Sequence, residues 1–380
     1  MSVAIGCLLF LATAFLAIPP VSAEDAAWRP ALPGWKYEFP RDHGQHREFK
    51  TEWLYFTGNL ATTETGRRFG YELTFFRQGI RPPTQRGGAK SKLIINDLPF
   101  AHFCISDPEG RQFLFQQRIA RGVRGDAGFD GESTKDEPVT KLAWNGPWSV
   151  NLKTDGHIEL WAANESAGAT LKLDLQNALP DWTIHGVDGV SQKAAGEGHA
   201  SQYYSGVRMR TVGTLNLGGK HFEVTGDSWF DHEWASNQLA PDQAGWDWFG
   251  LHLSDGSSLM LYQMRLRQGG ADAASSGTYI APQGKSRHLK QSDYLLTPLD
   301  YWTSKSNGAR YPIKWRVSIP SLALDFTVQT PLPNQELVFP ALTYWEGMVD
   351  LQGARDGRRL DGHGYMELTG YAGAISGLSQ

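Results

Sequence analysis

The chain of 380 residues is poor in cysteine, in long helical patterns and in excess charge of either sign. Its two cysteines are Cys7, inside an N-terminal apolar run, and Cys104, inside a strand-like pattern. Without a second cysteine in the mature chain, no disulfide is expected, and Cys104 is typical of an inert buried thiol. The net charge of −4 provides no basic surface, so nucleic acid is not an expected partner.

Several catalytic signatures are also missing. The sequence contains no Gly-x-Ser-x-Gly nucleophile elbow, no phosphate-binding loop and no dinucleotide fingerprint. These gaps argue against a covalent hydrolase and against nucleotide-dependent enzymes. No cofactor is expected.

The N-terminal segment 1–23 has the pattern of a secretory signal. An uncharged apolar run from Val3 to Ile18 is followed by two prolines and by Val21-Ser22-Ala23, the small-x-small pattern that signal peptidase recognises. The run is shorter than the roughly 20 residues that span a bilayer. We expect cleavage after Ala23 and a secreted or periplasmic protein.

The remainder favours short β-strands. Glycine is abundant, with 42 residues, and aromatic residues make up 12% of the chain, which together are typical of β proteins. Phe69, Tyr71, Leu73 and Phe75 alternate with other residues, as expected of a strand with one buried face. The fold class predicted is therefore all-β.

The chain also resembles a duplication. Three pairs of segments share a pattern and occur in the same order in both halves: 53–60 with 246–253, 173–180 with 324–331, and 198–206 with 362–370. Each unit has about 150 residues, the size of an antiparallel barrel that holds a small apolar ligand. We therefore predict two tandem β-barrels, over residues 24–217 and 218–380.

One stretch, Gly226 to Trp234, combines titratable side chains with large aromatic ones. It contains three carboxylates, one histidine and two tryptophans: Asp227, Asp231, Glu233, His232, Trp229 and Trp234. Such a mixture is typical of polar groups at the edge of an apolar pocket. The stretch lies at the predicted junction, and ligand sites favour domain interfaces.

Long motifs carry a resemblance to a known family. They run over residues 39–46, 52–58, 202–205, 226–234, 245–249, 344–347 and 364–371. The chain resembles the carotenoid 1,2-hydratase-like (AttH-like) family, which implies two packed lipocalin-like barrels and an isoprenoid, polyene or lipid ligand. In the hydratase branch a His-x-Trp pair acts with a tyrosine and an acid. His232-x-Trp234 matches the pair and Tyr262 the tyrosine, but Gln263 and Met264 leave the acid without a match.

Hydration of an alkene needs an acid that protonates carbon and a wall that tolerates a cation. The candidate catalytic residues are Asp231, His232, Glu233 and Tyr262. The candidate ligand contacts are Trp229, Trp234, Trp246, Trp248, Tyr204, His102 and His43. Neighbours in a strand face opposite sides, so His232 can act with Asp231 only if the stretch bends. Alternatively, the acidic residues fix the angle between the barrels.

One further group invites a metal interpretation, namely His43 and His46 with Glu52. Its spacing is loose and no helix frames it, so we predict no metal site there; a hydrogen-bonded loop is favoured, and a contribution to the pocket is the alternative. Three functions remain open: an enzyme of the hydratase, isomerase or cyclase type, a carrier that passes an apolar ligand to a membrane transporter, and a structural protein with filled barrels. The sequence leaves the oligomeric state undetermined.

Overall fold

The computed structural model describes residues 28–86, 94–123, 125–130, 140–339 and 342–373. The predicted signal segment lies outside them. Each helix in these ranges is a 3₁₀ turn of three residues, and none is long and apolar enough to cross a membrane. The turns are Arg41–His43, Pro83–Gln85, Glu165–Ala167, Gln291–Asp293 and Pro320–Leu322.

The first half of the chain folds into one antiparallel sheet. Its strands are β1 (Thr51–Thr62), β2 (Arg68–Gly79), β3 (Asp97–Asp107), β4 (Gln112–Ile119), β5 (Ala127–Phe129), β6 (Lys141–Asn145), β7 (Trp148–Leu152), β8 (Ile158–Asn164), β9 (Ala169–Asn177), β10 (Thr183–Ile184), β11 (Ser191–Gln192), β12 (Ala200–Leu217) and β13 (Lys220–Ala235). The order is β4-β3-β2-β1-β13-β12-β9-β8-β7-β6-β5, with β10 and β11 beside β12. The sheet curls until β3 lies against β5 and β6.

The second half forms a separate antiparallel sheet. Its strands are β14 (Gln243–Leu253), β15 (Ser258–Leu266), β16 (Ser276–Ile280), β17 (Ser286–Lys290), β18 (Leu295–Thr303), β19 (Arg310–Ile319), β20 (Leu324–Gln329), β21 (Glu336–Val338), β22 (Thr343–Arg355) and β23 (Arg358–Leu368). The order is β17-β16-β15-β14-β23-β22-β20-β19-β18, with β21 beside β22. The prediction of an all-β chain with two tandem lipocalin-like barrels is confirmed.

The two sheets repeat one topology. In each, the first strand lies between the second strand and the last one: β1 between β2 and β13, and β14 between β15 and β23. Two of the predicted sequence matches agree with this arrangement, since 53–60 and 246–253 lie on β1 and β14, and 173–180 and 324–331 include β9 and β20. The third is wrong. Segment 198–206 enters β12, whose counterpart is β22, whereas 362–370 belongs to β23.

The division between the sheets differs from the predicted boundary at 217/218. That boundary falls between β12 and β13, which pair with each other along most of their length. β13 also pairs with β1, so it belongs to the first sheet. The sheets therefore separate between Ala235 and Gln243. The prediction placed Gly226–Trp234 at the junction, just before the first strand of the second unit, and these residues lie in the last strand of the first sheet, directly before β14.

Among the described residues, three large apolar clusters hold the molecule together, beside a small fourth one of Cys104, Leu337 and Tyr344. Each barrel encloses its own core, represented by Phe56 and Phe230 in the first and by Phe249 and Trp315 in the second. A third cluster lies between the barrels and includes Trp229, which is 2% exposed. β13 contributes to the first core and to this interface with alternate residues, because successive side chains in a strand face opposite sides.

Candidate active site

A cavity opens where the outer faces of the two barrels meet. It contains about 740 Å³ of empty space, including its mouth. Its wall is mainly apolar, with aromatic side chains from both barrels. The lining residues are Trp53, Tyr55, Thr74, Phe76, Lys193, Tyr203, Asp231, Glu233, Gln238, Leu239, Trp246, Trp248, Tyr262, Met264, Tyr344 and Glu367.

Asp231 is the acid in the first-barrel wall. Its Oδ2 accepts a hydrogen bond of 2.8 Å from the Tyr203 hydroxyl, and its Oδ1 accepts one of 2.6 Å from Trp229 Nε1 and another from Ser205 Oγ. Burial raises the pKa of Asp231 to about 7, although these three hydrogen bonds act in the opposite direction. Asp231 is therefore poised to exchange a proton near neutral pH.

Glu233, two residues along the same strand face, forms an ion pair with Lys193. Lys193 Nζ lies 3.1 Å from Glu233 Oε1, and Gln238 Nε2 donates to the same oxygen over 3.0 Å. Burial lowers the pKa of Lys193, but Glu233, Tyr262 and Asp231 together outweigh burial and raise it overall. One wall thus carries an acid that can exchange a proton, Asp231, beside a carboxylate in an ion pair, Glu233. Acid–base sites commonly assign the roles of acid and base to two groups in such different environments.

The second-barrel wall holds a corresponding acid, Glu367. Asp231 pairs opposite Tyr55 in the first sheet, and Glu367 pairs opposite Trp248 in the second, so the two acids occupy equivalent positions of the repeat. Trp246 Nε1 donates to Glu367 Oε2 over 3.0 Å. Burial raises the pKa of Glu367 to about 8, with a smaller contribution from the nearby acidic groups and against the hydrogen bond from Trp246.

The neighbour of each acid differs between the repeats. Ser205 lies opposite Asp231 on β12, whereas Glu346 lies opposite Glu367 on β22. The Tyr55 hydroxyl donates to Glu346 Oε1 over 2.5 Å. Burial first, and then the Glu367 charge, holds the pKa of Glu346 well above its usual range.

Tyr262 contributes its ring to the cavity wall. Its hydroxyl donates to the Gln192 carbonyl over 2.7 Å and accepts from Ser276 Oγ over 2.8 Å. Lys193 Nζ lies 4.1 Å from the ring centroid. The hydroxyl of Tyr262 is occupied by these hydrogen bonds. The residue therefore contributes through its ring, which positions Lys193 and encloses the cavity.

The structure separates His232 and Trp234 from this cavity. β13 continues without a bend through Ala235, so both side chains face the interior of the first barrel, opposite Asp231 and Glu233. His232 Nε2 lies 2.9 Å from Glu52 Oε1, and its Nδ1 lies 3.1 Å from the Tyr204 hydroxyl. The sequence-based grouping of His232 with Asp231 is corrected accordingly.

The predicted contacts Tyr204 and His43 also lie inside the first barrel, away from the cavity. His43 Nδ1 is 2.7 Å from the Tyr204 hydroxyl. His102 lies beside the cavity, on the outer face of the first barrel: it pairs opposite Thr74, and its Nδ1 is 2.6 Å from the hydroxyl of Tyr344, and both of these neighbours line the cavity. Trp229 reaches the site through its bond to Asp231, whereas Trp246 and Trp248 contribute directly to the wall.

The loop with metal-like spacing forms a buried ionic network. His46, Glu52 and His232 offer donor atoms within 4.8 Å of one another. However, His46 Nδ1 and His232 Nε2 are each 2.9 Å from Glu52 Oε1, and Arg77 Nε donates to Glu52 Oε2 over 3.0 Å. Hydrogen bonds and the guanidinium charge thus already satisfy Glu52, which leaves no need for a cation.

Sequence reasoning missed several residues of the site, namely Tyr203, Lys193, Gln238, Tyr55, Glu346 and Glu367. Lys193 and Gln238 lie outside long strands, so no periodicity marks them. Glu367 could have been found from the duplication, had β13 been matched with β23 in place of the incorrect third pair. Tyr203 follows from strand alternation, since it faces the side opposite to Tyr204.

Comparisons with known proteins agree with this architecture. The AttH-like family model matches residues 30–371. A crystal structure of an AttH candidate from Nitrosomonas europaea is 33% identical, with a TM-score of 0.78, and the match covers 90% of this chain and 99% of that one. No curated protein matches the chain significantly.

Two more distant structures share the fold. Kievitone hydratase from Nectria haematococca is 15% identical with a TM-score of 0.64, over 90% of this chain and 98% of that one. CghA in complex with Sch210972 is 11% identical with a TM-score of 0.54, over 90% and 96% of the two chains. The family match spans most of the chain, and the chain therefore belongs to the AttH-like family.

Proposed function

We propose that this protein binds an apolar isoprenoid, polyene or lipid between its barrels and catalyses proton-transfer chemistry on it, namely hydration, isomerisation or cyclisation. The observation that carries the proposal is Asp231, a carboxyl that titrates near neutral pH in the wall of an aromatic cavity. The fold shared with a kievitone hydratase supports the reaction class.

In a hydration, the carboxyl of Asp231 donates its proton to one alkene carbon, and a carbocation forms at the other. Trp53, Trp246 and Trp248 surround the cavity, and each indole face that meets a cation stabilises it by about 0.5–2 kcal/mol. Water then attacks the cation. The Glu233 carboxylate accepts the proton that water releases, and proton exchange restores Asp231.

The relation between Asp231 and Tyr203 supports this assignment. When Asp231 is protonated, the Tyr203 hydroxyl can rotate and accept a hydrogen bond from the carboxyl O–H, so the pair retains a hydrogen bond in both states. Trp248 Nε1 donates to the same hydroxyl over 3.2 Å and holds it in place. A positioned general acid contributes about 10²–10⁴-fold to a rate.

The predicted signal segment 1–23 supports an extracytoplasmic location for this activity. A carrier that delivers its ligand to a membrane transporter would use the same cavity without Asp231 chemistry. Tight binding without turnover would favour that role.

The first experiment is native mass spectrometry of the protein purified from its own source, followed by organic extraction. We expect a bound apolar molecule, which then serves as substrate for the wild type and for Asp231→Asn. Tryptophan fluorescence quenching by an acyclic carotenoid probe tests occupancy if the protein is purified empty. An empty protein that fails to bind the probe would contradict the proposal.

A matched pair of variants separates binding from catalysis. Asp231→Asn retains the side-chain shape, so we expect ligand binding with loss of turnover. Asp300→Asn changes an exposed aspartate on β18 and should alter neither. Equal turnover in all three proteins would exclude Asp231 as the acid.

A further inference from the structure

A second cleft lies between the barrels, beyond Trp229. Asp227 and Trp229 share one face of β13 with Asp231, and Asp227 is four residues from Asp231, about 13 Å along the strand. The cleft is wide and open, and residues of both barrels line it, including Asp227, His252 and His363. None of these three lines the cavity of the proposed active site.

Three donor groups converge in this cleft. One ligand atom each from Asp227, His252 and His363 lies within 4.8 Å of the other two. His363 Nε2 is 3.6 Å from Asp227 Oδ2. Two ligands bound at about 2.1 Å in tetrahedral geometry are about 3.4 Å apart, so small side-chain rotations suffice for both to bind one ion.

The histidines have free nitrogens available for such an ion. His252 Nε2 is 2.7 Å from the Val207 carbonyl, and because a carbonyl only accepts, Nε2 carries the proton. Within the described residues, His252 Nδ1 and His363 Nε2 are buried without a hydrogen-bond partner. A metal-binding imidazole typically donates its other N–H to such an oxygen, which fixes the tautomer and ring.

His252 is also held in place. It is 7% exposed, and its ring stacks on Trp229 with centroids 5.8 Å apart. This packing fixes the plane of the imidazole in which its free nitrogen lies.

The duplication explains why the donors meet. Asn59 pairs opposite Asp227 in the first sheet, and His252 pairs opposite His363 in the second, so these four residues occupy two equivalent pairs of positions. Asn59 lines the same cleft, and among the residues described its buried Oδ1 has no partner either. Its Nδ2 donates to the Gly364 carbonyl over 3.0 Å, which fixes the amide orientation.

The charge around the cleft is compatible with a cation. Three carboxylates line it, those of Asp227, Asp350 and Asp361, against two arginines. Arg68 forms two hydrogen bonds with Asp350, of 2.5 and 3.1 Å, so each neutralises the other. Arg208 Nη2 donates to the Ser257 carbonyl over 3.2 Å. Asp227 therefore supplies the negative charge nearest to the histidines.

We infer that Asp227, His252 and His363 form a binding site for one divalent first-row transition-metal ion, with Zn²⁺ as the probe. Two imidazole nitrogens and a carboxylate are donors that suit Zn²⁺, and the Asn59 oxygen or water completes the coordination. The first barrel contributes Asp227 and the second contributes both histidines. The ion therefore cross-links the barrels at a position separate from the proposed active site.

The test uses the untagged full chain, because a polyhistidine tag would itself bind Zn²⁺. Competition with a chromophoric chelator measures the affinity of the wild type, His363→Ala and Asp227→Asn. His221→Ala is the matched control, since His221 lies on β13 of the first barrel and is exposed. Near-ultraviolet circular dichroism verifies that each variant is folded.

We expect one Zn²⁺ per chain and, for each ligand variant, affinity weakened by at least about tenfold, since even changes to residues behind the ligands cost 10–100-fold. His221→Ala should bind as the wild type does. Zn²⁺ should also raise the urea midpoint of the wild type more than that of His363→Ala, because an ion that binds only the folded state stabilises it. Absence of stoichiometric binding, or affinity unchanged in both ligand variants, would overturn the assignment.

Discussion

The two walls of the active-site cavity come from equivalent strands, yet the groups that surround the buried acid differ between them. The first wall surrounds Asp231 with hydroxyl and indole donors, including Ser205. The second places Glu346 where the first has Ser205, so Glu367 has another carboxyl as its neighbour. Burial raises the pKa of both acids, to about 7 for Asp231 and to about 8 for Glu367, and the hydrogen-bond donors around each act in the opposite direction. The comparison indicates that one ancestral position has diverged into two buried acids with different partners.

The largest expected effect separates the two acids by activity. Asp231→Asn should lower kcat on the extracted substrate by about 10²–10⁴-fold, because it removes the proposed acid from the first-barrel wall and leaves only Glu367 on the opposite wall. Glu367→Gln should reduce kcat much less. Steady-state kinetics of both folded variants provide the measurement, and an equal or greater loss in Glu367→Gln would assign the acid to the second wall.

The next effect concerns a feature that only the first wall has. Lys193→Met removes the cation 3.1 Å from Glu233 and leaves a buried carboxylate unpaired. The free energy of unfolding should fall by about 3–5 kcal/mol, as when other buried ion pairs lose one partner. Urea unfolding measures this change. The double variant Lys193→Met with Glu233→Gln should recover much of the loss, and failure to do so would indicate another role for Lys193.

Glu367, on the second wall, should make the stability of the protein depend on pH. With a folded pKa of about 8 against an ordinary 4.5, Glu367 binds a proton in the folded state that the unfolded state releases between these values. Its contribution to stability therefore falls as pH rises through that window, by at most about 5 kcal/mol. Glu367→Gln should gain stability relative to the wild type from pH 5 to pH 9.

Urea unfolding at pH 5, 7 and 9 tests this expectation. Glu72, whose pKa burial also raises, is present in both proteins, so its contribution largely cancels in the comparison. The pKa of Glu346 falls when the Glu367 charge is removed, and this change adds to the stability that the variant gains as pH rises. A stability difference that does not change with pH would show that Glu367 is already ionised in the folded protein.

The smallest expected effect compares two tyrosines at equivalent positions, Tyr203 and Tyr344. The Tyr203 hydroxyl donates to Asp231 and lowers its pKa, whereas Tyr344 is bonded to His102. Tyr203→Phe should therefore raise the pKa of Asp231 by about one unit and extend activity to higher pH. Tyr344→Phe should leave the pH–rate profile unchanged. Matching shifts in both variants would refute the direct link between Tyr203 and Asp231.

The repeated fold was predictable from the sequence because strand alternation and the motif shared by 53–60 and 246–253 are local. The site was predictable only in part. Asp231, Glu233 and Trp229 follow from their motif, but which face of β13 meets the cavity depends on how two barrels pack, and no local pattern encodes this. His232 illustrates the limit, because an Asp-His-Glu run suggests one cluster while an unbent strand divides it between two compartments.

This division on β13 determines which substitutions affect the core of the first barrel and which affect the cavity. Between Asp227 and Trp234, residues of even number, such as Phe230 and His232, face the first barrel, whereas those of odd number face the space between the barrels. Substitutions at one set can therefore accumulate with little consequence for the other. A scaffold of this kind can diversify its chemistry while keeping its core, and directed evolution of the cavity can begin with every second residue of a single strand.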